Sequence, residues 1–156
     1  MAQIKLYQNT SPNWYVYEGI MTIIVLLFSL LMTNSPEAKN VLGTPLQSCC
    51  TDPMTGWYRD GTCNTGEGDY GVHTVCAIMT EEFLSYTSSC GNDLSTPKPQ
   101  FNFPGLQPGD GWCLCVSRWK EAYDKGIAPP VRLESCHQKS LEVVTLDMLR
   151  EHAYEE

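Results

Sequence analysis

Residues 48–76 read SCCTDPMTGWYRDGTCNTGEGDYGVHTVC, and they contain most of the chemically distinctive residues of the chain. The stretch holds four of the eight cysteines, five glycines and one of the three histidines. This density of thiols and of glycines, which adopt backbone conformations closed to other residues, is not typical of a linker. A second concentration of cysteine lies at residues 113–115, CLC. We expect the two stretches to meet if the chain folds back on itself, although no motif in either identifies a reaction.

The length of the chain, 156 residues, suits a single domain. Residues 40–156 form the apparent globular part and are numerous enough to enclose one hydrophobic core. Ten Lys and Arg residues against 18 Asp and Glu residues give a net charge of −8. An acidic surface repels phosphate backbones, and no basic stripe interrupts it, so we expect no nucleic-acid partner. The sequence does not identify a protein or small-molecule partner.

The N-terminal part contains a strongly apolar run, IMTIIVLLFSLLM. Extended back to an aromatic-rich start, the run covers residues 14–32, close to the roughly 20 residues that a helix needs to cross a bilayer. Trp and Tyr side chains at its start favour the headgroup region of a membrane. The first interpretation is therefore a single membrane anchor at residues 14–32, joined by residues 32–39 to the globular domain.

Two alternatives to the anchor stay open. Residues 1–31 are interpreted in the first alternative as an upstream extension of the gene model that is not translated, because MTNSPEAKNVLG from Met32 is typical of the beginning of a soluble protein. The second alternative, a cleaved signal peptide, fits less well because no clean small-x-small cleavage site follows Met32. We expect a membrane-anchored protein if the anchor is used and a cytoplasmic protein if the extension is not translated.

The globular part alternates short apolar runs with segments that carry helix-capping residues. Residues 40–69 predict irregular structure with tight turns. Strands are predicted at residues 72–79, 112–117, 131–134 and 142–144. Helices are predicted between Thr80 and Gly91, at residues 118–125 with Ser117 as the cap, and from Thr145 towards residue 153. This order predicts an α+β fold, a small two-layer α/β domain with a short mixed sheet, a few short helices and long Gly/Pro-rich loops.

The longest predicted loop, residues 92–111, carries four prolines and cannot be a central strand or a helix. A loop of this length in a small domain is usually functional or covers another part of the structure. Phe101, Phe103 and Leu106 give it apolar side chains, so we expect it to pack against the domain as a flap.

Several segments in order resemble one protein family. They are TDPMTGWYRDGTCNTG, HTVCAIMTEEFL, GNDLSTP, FPGLQPGDGWCLCVSRWKEA and GIAPPV. The chain is similar over about residues 40–153 to the uncharacterised, mostly bacterial family called domain of unknown function 2237. The resemblance implies a compact α/β fold and no assigned activity. Five cysteines fall inside the matched segments, Cys50, Cys63, Cys76, Cys113 and Cys115, whereas the other three are peripheral to the family pattern.

The cysteines and one histidine suggest a metal site as one candidate. Cys113 and Cys115 are two residues apart on a predicted strand, so their thiols are expected on the same face. Thiolates suit a soft metal such as zinc, and iron is the other candidate. The candidate ligands are Cys63, Cys76, Cys113, Cys115, Cys50 and His73. Against this candidate, free cysteine commonly packs as a small buried apolar residue, and the paired CxxC spacing of zinc modules is missing from the sequence.

Two other kinds of thiol chemistry remain open. In an oxidising compartment, Cys50–Cys63 is the most plausible loop-closing disulfide, although connectivity does not follow from sequence. A thiol enzyme needs a base within reach of the nucleophile, and His73 could meet Cys113 or Cys115 across neighbouring strands. The acidic residues of the glycine-rich stretch, Asp69 among them, are interpreted as solvated turn residues.

The sequence therefore leaves three hypotheses for the function. The leading hypothesis is a small binding or accessory domain, with a pocket where the region of residues 63–76 meets the CLC segment and the proline-rich flap. The second is a thiol-dependent enzyme or redox protein. The third is a structural zinc- or iron-binding domain.

Overall fold

The computed structural model describes residues 37–155, and the predicted membrane anchor at residues 14–32 lies outside them. Within the described part, no helix combines the length and apolar character needed to cross a membrane. The described residues contain a two-stranded sheet, three α-helices and several 3-10 turns. This arrangement confirms the predicted small α+β fold.

The sheet pairs β1 (Val75–Ile78) with β2 (Gly111–Leu114) in antiparallel register. Cys76 lies directly opposite Cys113 in this register. The helices are α1 (Glu81–Ser89), α2 (Val116–Tyr123) and α3 (Leu146–Glu151). The 3-10 helices are Pro99–Phe101, Leu133–Ser135 and Gln138–Glu142. Every residue of both strands is buried, which explains why their sequences are continuous apolar runs rather than alternating patterns.

Helix α1 forms where the sequence predicts it, for the predicted reasons. The hydroxyl of Thr80 accepts a hydrogen bond from the backbone N–H of Phe83 at 3.1 Å. Glu81 and Glu82 occupy the first turn, where the helix dipole favours negative charge. Gly91 follows the helix with φ of +81°, a conformation that glycine adopts without steric cost.

The predicted strand at residues 112–117 is too long at its C-terminal end. Strand β2 stops at Leu114, and helix α2 begins at Val116 with Cys115 as its N-cap, so Ser117 is not the cap. The backbone N–H of Val116 bonds to the carbonyl of Val72, outside the β1–β2 ladder, at 3.1 Å. The carbonyl of Cys115 accepts the N–H of Trp119, which closes the first helical turn. Cys113 and Cys115 therefore do not share a strand face as predicted.

Two further strand predictions, at residues 131–134 and 142–144, are wrong, because at most a single residue of each takes part in a β-bridge. At residues 131–134, only Val131 forms bridges, one to Ala77 and one to Ala153, before the chain enters a 3-10 helix. At residues 142–144 the apolar residues follow the 3-10 helix Gln138–Glu142. The buried hydroxyl of Ser140 donates to Thr74, which ties this turn to the domain in place of a strand ladder.

Two disulfides tie the cysteine-rich stretch to the sheet. Cys49 bonds to Cys76 of β1, and Cys63 bonds to Cys113 of β2. The predicted Cys50–Cys63 pair is wrong, because Cys63 is closer to β2 and Cys50 keeps a free thiol. Both ends of the segment 49–63 are thus fixed to neighbouring positions of the sheet.

The proline-rich loop between α1 and β2 packs onto the domain, as predicted. Phe103 and Leu106 are buried, and the Phe103 ring meets the edge of the Trp112 ring at 5.3 Å between centroids. Phe101 does not act as the predicted apolar anchor, since 66% of its surface is exposed. This loop forms one wall of the cavity described below.

Candidate active site

Three side chains form a hydrogen-bonded row beside the sheet. The Nδ1 atom of His73 lies 2.6 Å from Oδ1 of Asp69, and its Nε2 atom lies 3.1 Å from Sγ of Cys115. The histidine thus lies between a carboxylate and a thiol, each on a different ring nitrogen. A thiol, a base within hydrogen-bond reach and a third group that orients the base are the three components of an activated cysteine nucleophile.

Asp69 is the residue of this row that sequence reasoning missed. It was interpreted as a solvated turn residue, but its side chain is buried, and it accepts hydrogen bonds from the His73 backbone at 2.9 Å and the Thr65 hydroxyl at 2.8 Å. Burial opposes ionisation of the carboxyl, yet these bonds and the His73 ring outweigh it, so the pKa of Asp69 lies below its ordinary value. The sequence signal for this pairing is the four-residue spacing between Asp69 and His73 in a loop rich in glycine.

His73 is strongly biased towards its protonated form. The hydrogen bond to Cys115 is the main cause, opposed by burial and reinforced by Asp69, and together they raise the pKa of His73 to about 9. At neutral pH the ring therefore carries a proton on both nitrogens, one directed at the Asp69 carboxylate and one at the Cys115 sulfur. The Trp57 indole stacks on the imidazole with 6.1 Å between ring centroids and fixes its plane.

An unusual backbone turn brings His73 to the thiol. Val72 has φ of +50°, a left-handed conformation that is sterically unfavourable for a β-branched residue. Its carbonyl accepts N–H groups from Thr74 at 2.9 Å and from Val116 at 3.1 Å, which ties the turn to the start of α2. Because β1 begins only at Val75, His73 lies outside the strand predicted at residues 72–79.

Cys115 occupies the N-terminal end of α2. Its side chain bonds to His73 instead of capping the helix. The backbone N–H groups of Ser117 and Arg118 belong to the first turn, where N–H groups point out of the helix without an intrahelical acceptor. The positive end of the helix dipole favours negative charge at this sulfur and on any oxygen next to it.

A cavity of about 350 Å³ opens beside this row, and His73 is part of its wall. The cavity lies where residues 56–59 and His73 meet the middle of β2 and the proline-rich loop. This location agrees in part with the predicted pocket, since His73 represents the region 63–76 in its wall. Its walls are largely aromatic: Trp57, Phe101, Phe103 and Trp112. Arg59, Lys98 and Cys113 also line it.

The six predicted metal ligands lie in three different places. Cys63, Cys76 and Cys113 are buried in the two disulfides. His73 and Cys115 bond to each other. The Cys50 thiol is close to the backbone carbonyl of Asp52, at 3.2 Å.

The structure does bring buried sulfurs together around the sheet. The Sγ atoms of Cys49, Cys63 and Cys76 all lie within 4.8 Å of one another, close enough to hold a metal ion if the sulfurs were reduced. Cys113 is bonded to Cys63 and therefore belongs to the same cluster. We call Cys49, Cys63, Cys76 and Cys113 the sulfur cluster. Sequence reasoning missed Cys49, which it regarded as peripheral.

The free thiols differ in their surroundings. Cys50, Cys90 and Cys115 are half-buried, whereas Cys136 is fully buried. Burial raises the pKa of the Cys136 thiol to about 12, so this thiol stays protonated and unreactive at neutral pH. Among the described cysteines, Cys115 is distinguished by a hydrogen bond to a histidine side chain.

The family model for DUF2237, described as an uncharacterized protein conserved in bacteria, matches residues 39–153. The match covers more than half of the chain, and the chain belongs to this family. No curated protein matches the chain.

Proposed function

We propose that this member of the DUF2237 family is a thiol-dependent enzyme that transfers or hydrolyses acyl groups. The observation that supports the proposal most is the row Asp69–His73–Cys115, with its two hydrogen bonds of 2.6 and 3.1 Å. A second observation is that His73, the central residue of the row, lines a cavity large enough for a small substrate.

The proposed reaction starts with the sulfur of Cys115. Sγ forms a bond to the carbonyl carbon of an ester or thioester, and the carbonyl oxygen takes up the negative charge. The N–H groups at the start of α2 are suitably placed to stabilise this oxygen. As the carbon–oxygen or carbon–sulfur bond to the leaving group breaks, the leaving group receives the proton from Nε2 of His73. His73 then removes a proton from water, which hydrolyses the acyl-cysteine and restores the thiol.

Asp69 has a positioning role in this scheme. Its buried carboxylate accepts a hydrogen bond from Nδ1–H and so keeps Nε2 directed at the sulfur. The negative charge also favours the imidazolium that forms when the thiol loses its proton. The distance between Nδ1 and Oδ1 suits this role.

The experiment that tests the proposal is residue-resolved alkylation of the full chain in a non-denaturing detergent. Iodoacetamide at neutral pH is expected to modify Cys115 at least about tenfold faster than Cys50 or Cys90, read by peptide mass spectrometry. The His73→Gln variant should lose this difference. The same preparation should release the phenol from aryl esters, and Cys115→Ser should not.

The binding or accessory hypothesis predicts a different result. A domain that only binds ligands in the cavity has no need of an activated thiol, so Cys115 would react no faster than Cys50, and aryl esters would remain intact. That outcome would overturn the enzyme proposal.

A second candidate function, a zinc-stabilised domain, is favoured by the sulfur cluster. Zinc–sulfur bonds of about 2.3 Å in a tetrahedral site bring neighbouring sulfurs to about 3.8 Å. Three of the four sulfurs, those of Cys49, Cys63 and Cys76, lie within 4.8 Å of one another, near this spacing, and Cys113 is bonded to Cys63. Arg132, which donates to the carbonyl of Cys49 at 3.1 Å, supplies a positive charge near a site that would carry negative charge.

Zinc binding at this cluster requires reduction first. Each disulfide accepts two electrons and two protons from a dithiol, which itself becomes a cyclic disulfide, and four thiols result. Zinc then binds four thiolates and releases four protons. We therefore propose disulfides in an oxidising compartment and zinc in a reducing one.

Cobalt is a suitable probe for this second candidate. The reduced chain, freed of dithiol and metal, should bind one equivalent of Co²⁺ with the visible absorption of tetrahedral thiolate ligation, and zinc should displace it. Zinc should protect Cys49, Cys63, Cys76 and Cys113 from alkylation while leaving Cys50 accessible. Protection of Cys50 or Cys115 instead, or no binding by a reduced chain that keeps its circular dichroism, would contradict the zinc candidate.

A further inference from the structure

The charge inside the cavity is opposite to the charge of the whole chain. The chain has a net charge of −8. Among the described residues that line the cavity, Arg59 and Lys98 are cationic and none is Asp or Glu. His73 also lines the cavity, but its charge when protonated is paired with the Asp69 carboxylate. A cleft with this pattern concentrates anions next to an otherwise acidic protein.

Arg59 is held over an aromatic wall. Its guanidinium carbon lies 5.1 Å from the centroid of the Trp112 ring. One guanidinium nitrogen donates to the carbonyl of Met54 at 3.4 Å, which leaves the charge without compensation from that contact. A guanidinium stacked in this way keeps its planar donors available for a carboxylate.

Lys98, on the proline-rich loop, also lines the cavity. Its ammonium donates to the backbone carbonyl of Asp93 at 3.1 Å, so the head group is fixed by a neutral acceptor. The Asp93 carboxylate itself accepts the N–H groups of Ser95 and Thr96, at 2.9 and 3.0 Å. The hydrogen bonds from Thr96 and Ser95 lower the pKa of this carboxylate, and the charge of Lys98 adds to the effect, so Asp93 partly compensates Lys98. An ammonium has three N–H donors, and those not bonded to the Asp93 carbonyl remain for a further ligand.

The acidic residue next to Arg59 is also engaged elsewhere. The Asp60 carboxylate accepts the N–H of Thr62 at 2.9 Å and its hydroxyl at 2.8 Å. The loop thus directs its cation towards the cavity wall and uses its anion to fix the turn. This separation of the two charges favours an anionic occupant.

We infer that the substrate of the Cys115 site is a small aromatic ester or thioester whose acyl part carries a carboxylate. The inference rests on the proposed thiol chemistry and adds the class of substrate to it. The ring of the acyl group packs between Trp57, Phe101 and Phe103, and the carboxylate is bound by Arg59 with Lys98 nearby. The carbonyl carbon is then placed on the His73 side of the cavity, where the Nε2 atom of this wall residue lies 3.1 Å from Sγ of Cys115. The volume of about 350 Å³ suits one aromatic ring with short substituents.

A matched pair of alkylating agents tests this substrate class on the full chain. One probe is 4-(bromomethyl)benzoate and the other is its neutral primary amide, which has nearly the same shape. Peptide mass spectrometry gives the rate at which each probe modifies Cys115. We expect the anionic probe to react about tenfold faster than the neutral one, because a charged hydrogen bond holds it in the cavity.

Variants identify which cation is responsible for this preference. The ratio of the two rates should approach one in Arg59→Gln and be kept in Arg59→Lys, which retains the charge. Lys125→Gln, an exposed site outside the cavity with the same change in net charge, should keep the ratio of the unaltered chain. Using the ratio separates binding of the carboxylate from any change in the reactivity of the thiol.

The outcomes distinguish this inference from the proposed function. If both probes modify Cys115 rapidly and at equal rates, the activated thiol stands and the carboxylate substrate is wrong. If neither probe modifies Cys115 faster than Cys50, the proposed function itself fails. A preference for the anionic probe that persists in Arg59→Gln and in Lys98→Gln would also overturn the inference.

Discussion

A side chain at residue 71 would collide with Cys115: a Cβ placed on Gly71 would lie 2.9 Å from the sulfur and 2.6 Å from Cε1 of the His73 ring. The backbone of the turn that positions His73 therefore passes so close to the Cys115 thiol that no side chain fits at residue 71. Glycine is required here for space. This requirement leads to the first prediction.

Gly71→Ala should separate His73 from Cys115, because the added methyl group occupies the position of their hydrogen bond. We expect alkylation of Cys115 by iodoacetamide to slow by at least about tenfold, while the circular dichroism of the domain is kept. Gly126→Ala is the matched control, since its Cβ would meet nothing within 4 Å but φ is +73°. The control should lose about 1 kcal/mol of stability and keep the reactivity of Cys115. Equal reactivity of both variants would contradict the packing argument.

Asp69→Asn should reduce the reactivity of Cys115 without removing the side chain. The amide keeps the shape of the carboxylate but lacks the charge that favours the imidazolium, so the pKa of His73 should fall. We expect the rate of Cys115 alkylation and any ester hydrolysis at pH 7 to drop by roughly tenfold or more. Asp60→Asn, in the same glycine-rich stretch, is the control and should leave both rates unchanged. If Asp60→Asn and Asp69→Asn behave alike, the carboxylate has no role in positioning His73.

The pH dependence of stability should reveal the protonated His73. Its pKa is about 9 in the folded protein against an ordinary value of 6.5, so the folded state binds more protons than the unfolded state between these values. The stabilisation is complete below pH 6.5, decreases as the pH rises and is lost above pH 9. Because the His73 side chain is 32% exposed, solvent screening limits this stabilisation to roughly 1–2 kcal/mol. Urea unfolding between pH 6 and pH 9.5 measures it.

The control for this pH effect is Cys115→Ser. The Cys115 hydrogen bond is the largest cause of the raised pKa of His73, so its removal should flatten the dependence on pH. His73→Gln should flatten it as well. A dependence that is unchanged in both variants would assign it to other groups.

Removing the disulfide between Cys63 and Cys113 should destabilise the domain strongly. The double variant Cys63→Ser, Cys113→Ser avoids a single unpaired thiol in the core. The bond closes a loop of 50 residues and restricts the unfolded chain. Losing this restriction lowers the free energy of unfolding by about 4 kcal/mol. Denaturant unfolding under non-reducing conditions measures the loss, and Cys90→Ser should change stability by less than about 0.5 kcal/mol. A loss below about 1 kcal/mol would show that the bond is absent in solution.

The parts of the fold with local causes could be predicted from the sequence. Helix α1 is predicted by Thr80 as its N-cap, by acidic residues in its first turn and by Gly91 after its end, all within a dozen residues. The packing of the proline-rich loop onto the domain could also be predicted, because its prolines exclude a central strand and a long helix while its apolar side chains, among them Phe103 and Leu106, need to be buried. These features depend on interactions between residues that are close in the chain.

The row of site residues could be predicted only in part, because it depends on contacts between distant residues. A meeting of His73 with Cys113 or Cys115 was among the alternatives, but the choice is made by the bond from Val116 to the carbonyl of Val72, which ends the strand before Cys115. The role of Asp69 depends on burial by this same turn. Composition describes a glycine-rich acidic stretch as solvated and contains no information on which of its carboxylates is enclosed.

Part of the cavity wall comes from a segment of the chain separate from Cys115 and His73. Leu94, Lys98, Phe101 and Phe103 belong to the loop between α1 and β2, whereas the thiol and its histidine lie outside that loop. Under the proposed function, substitutions or insertions in the loop alter which molecules bind in the cavity without disturbing Cys115 and His73. Members of the family can then differ in substrate specificity while keeping the row Asp69–His73–Cys115. The loop is therefore the place where differences between members of the family should be sought.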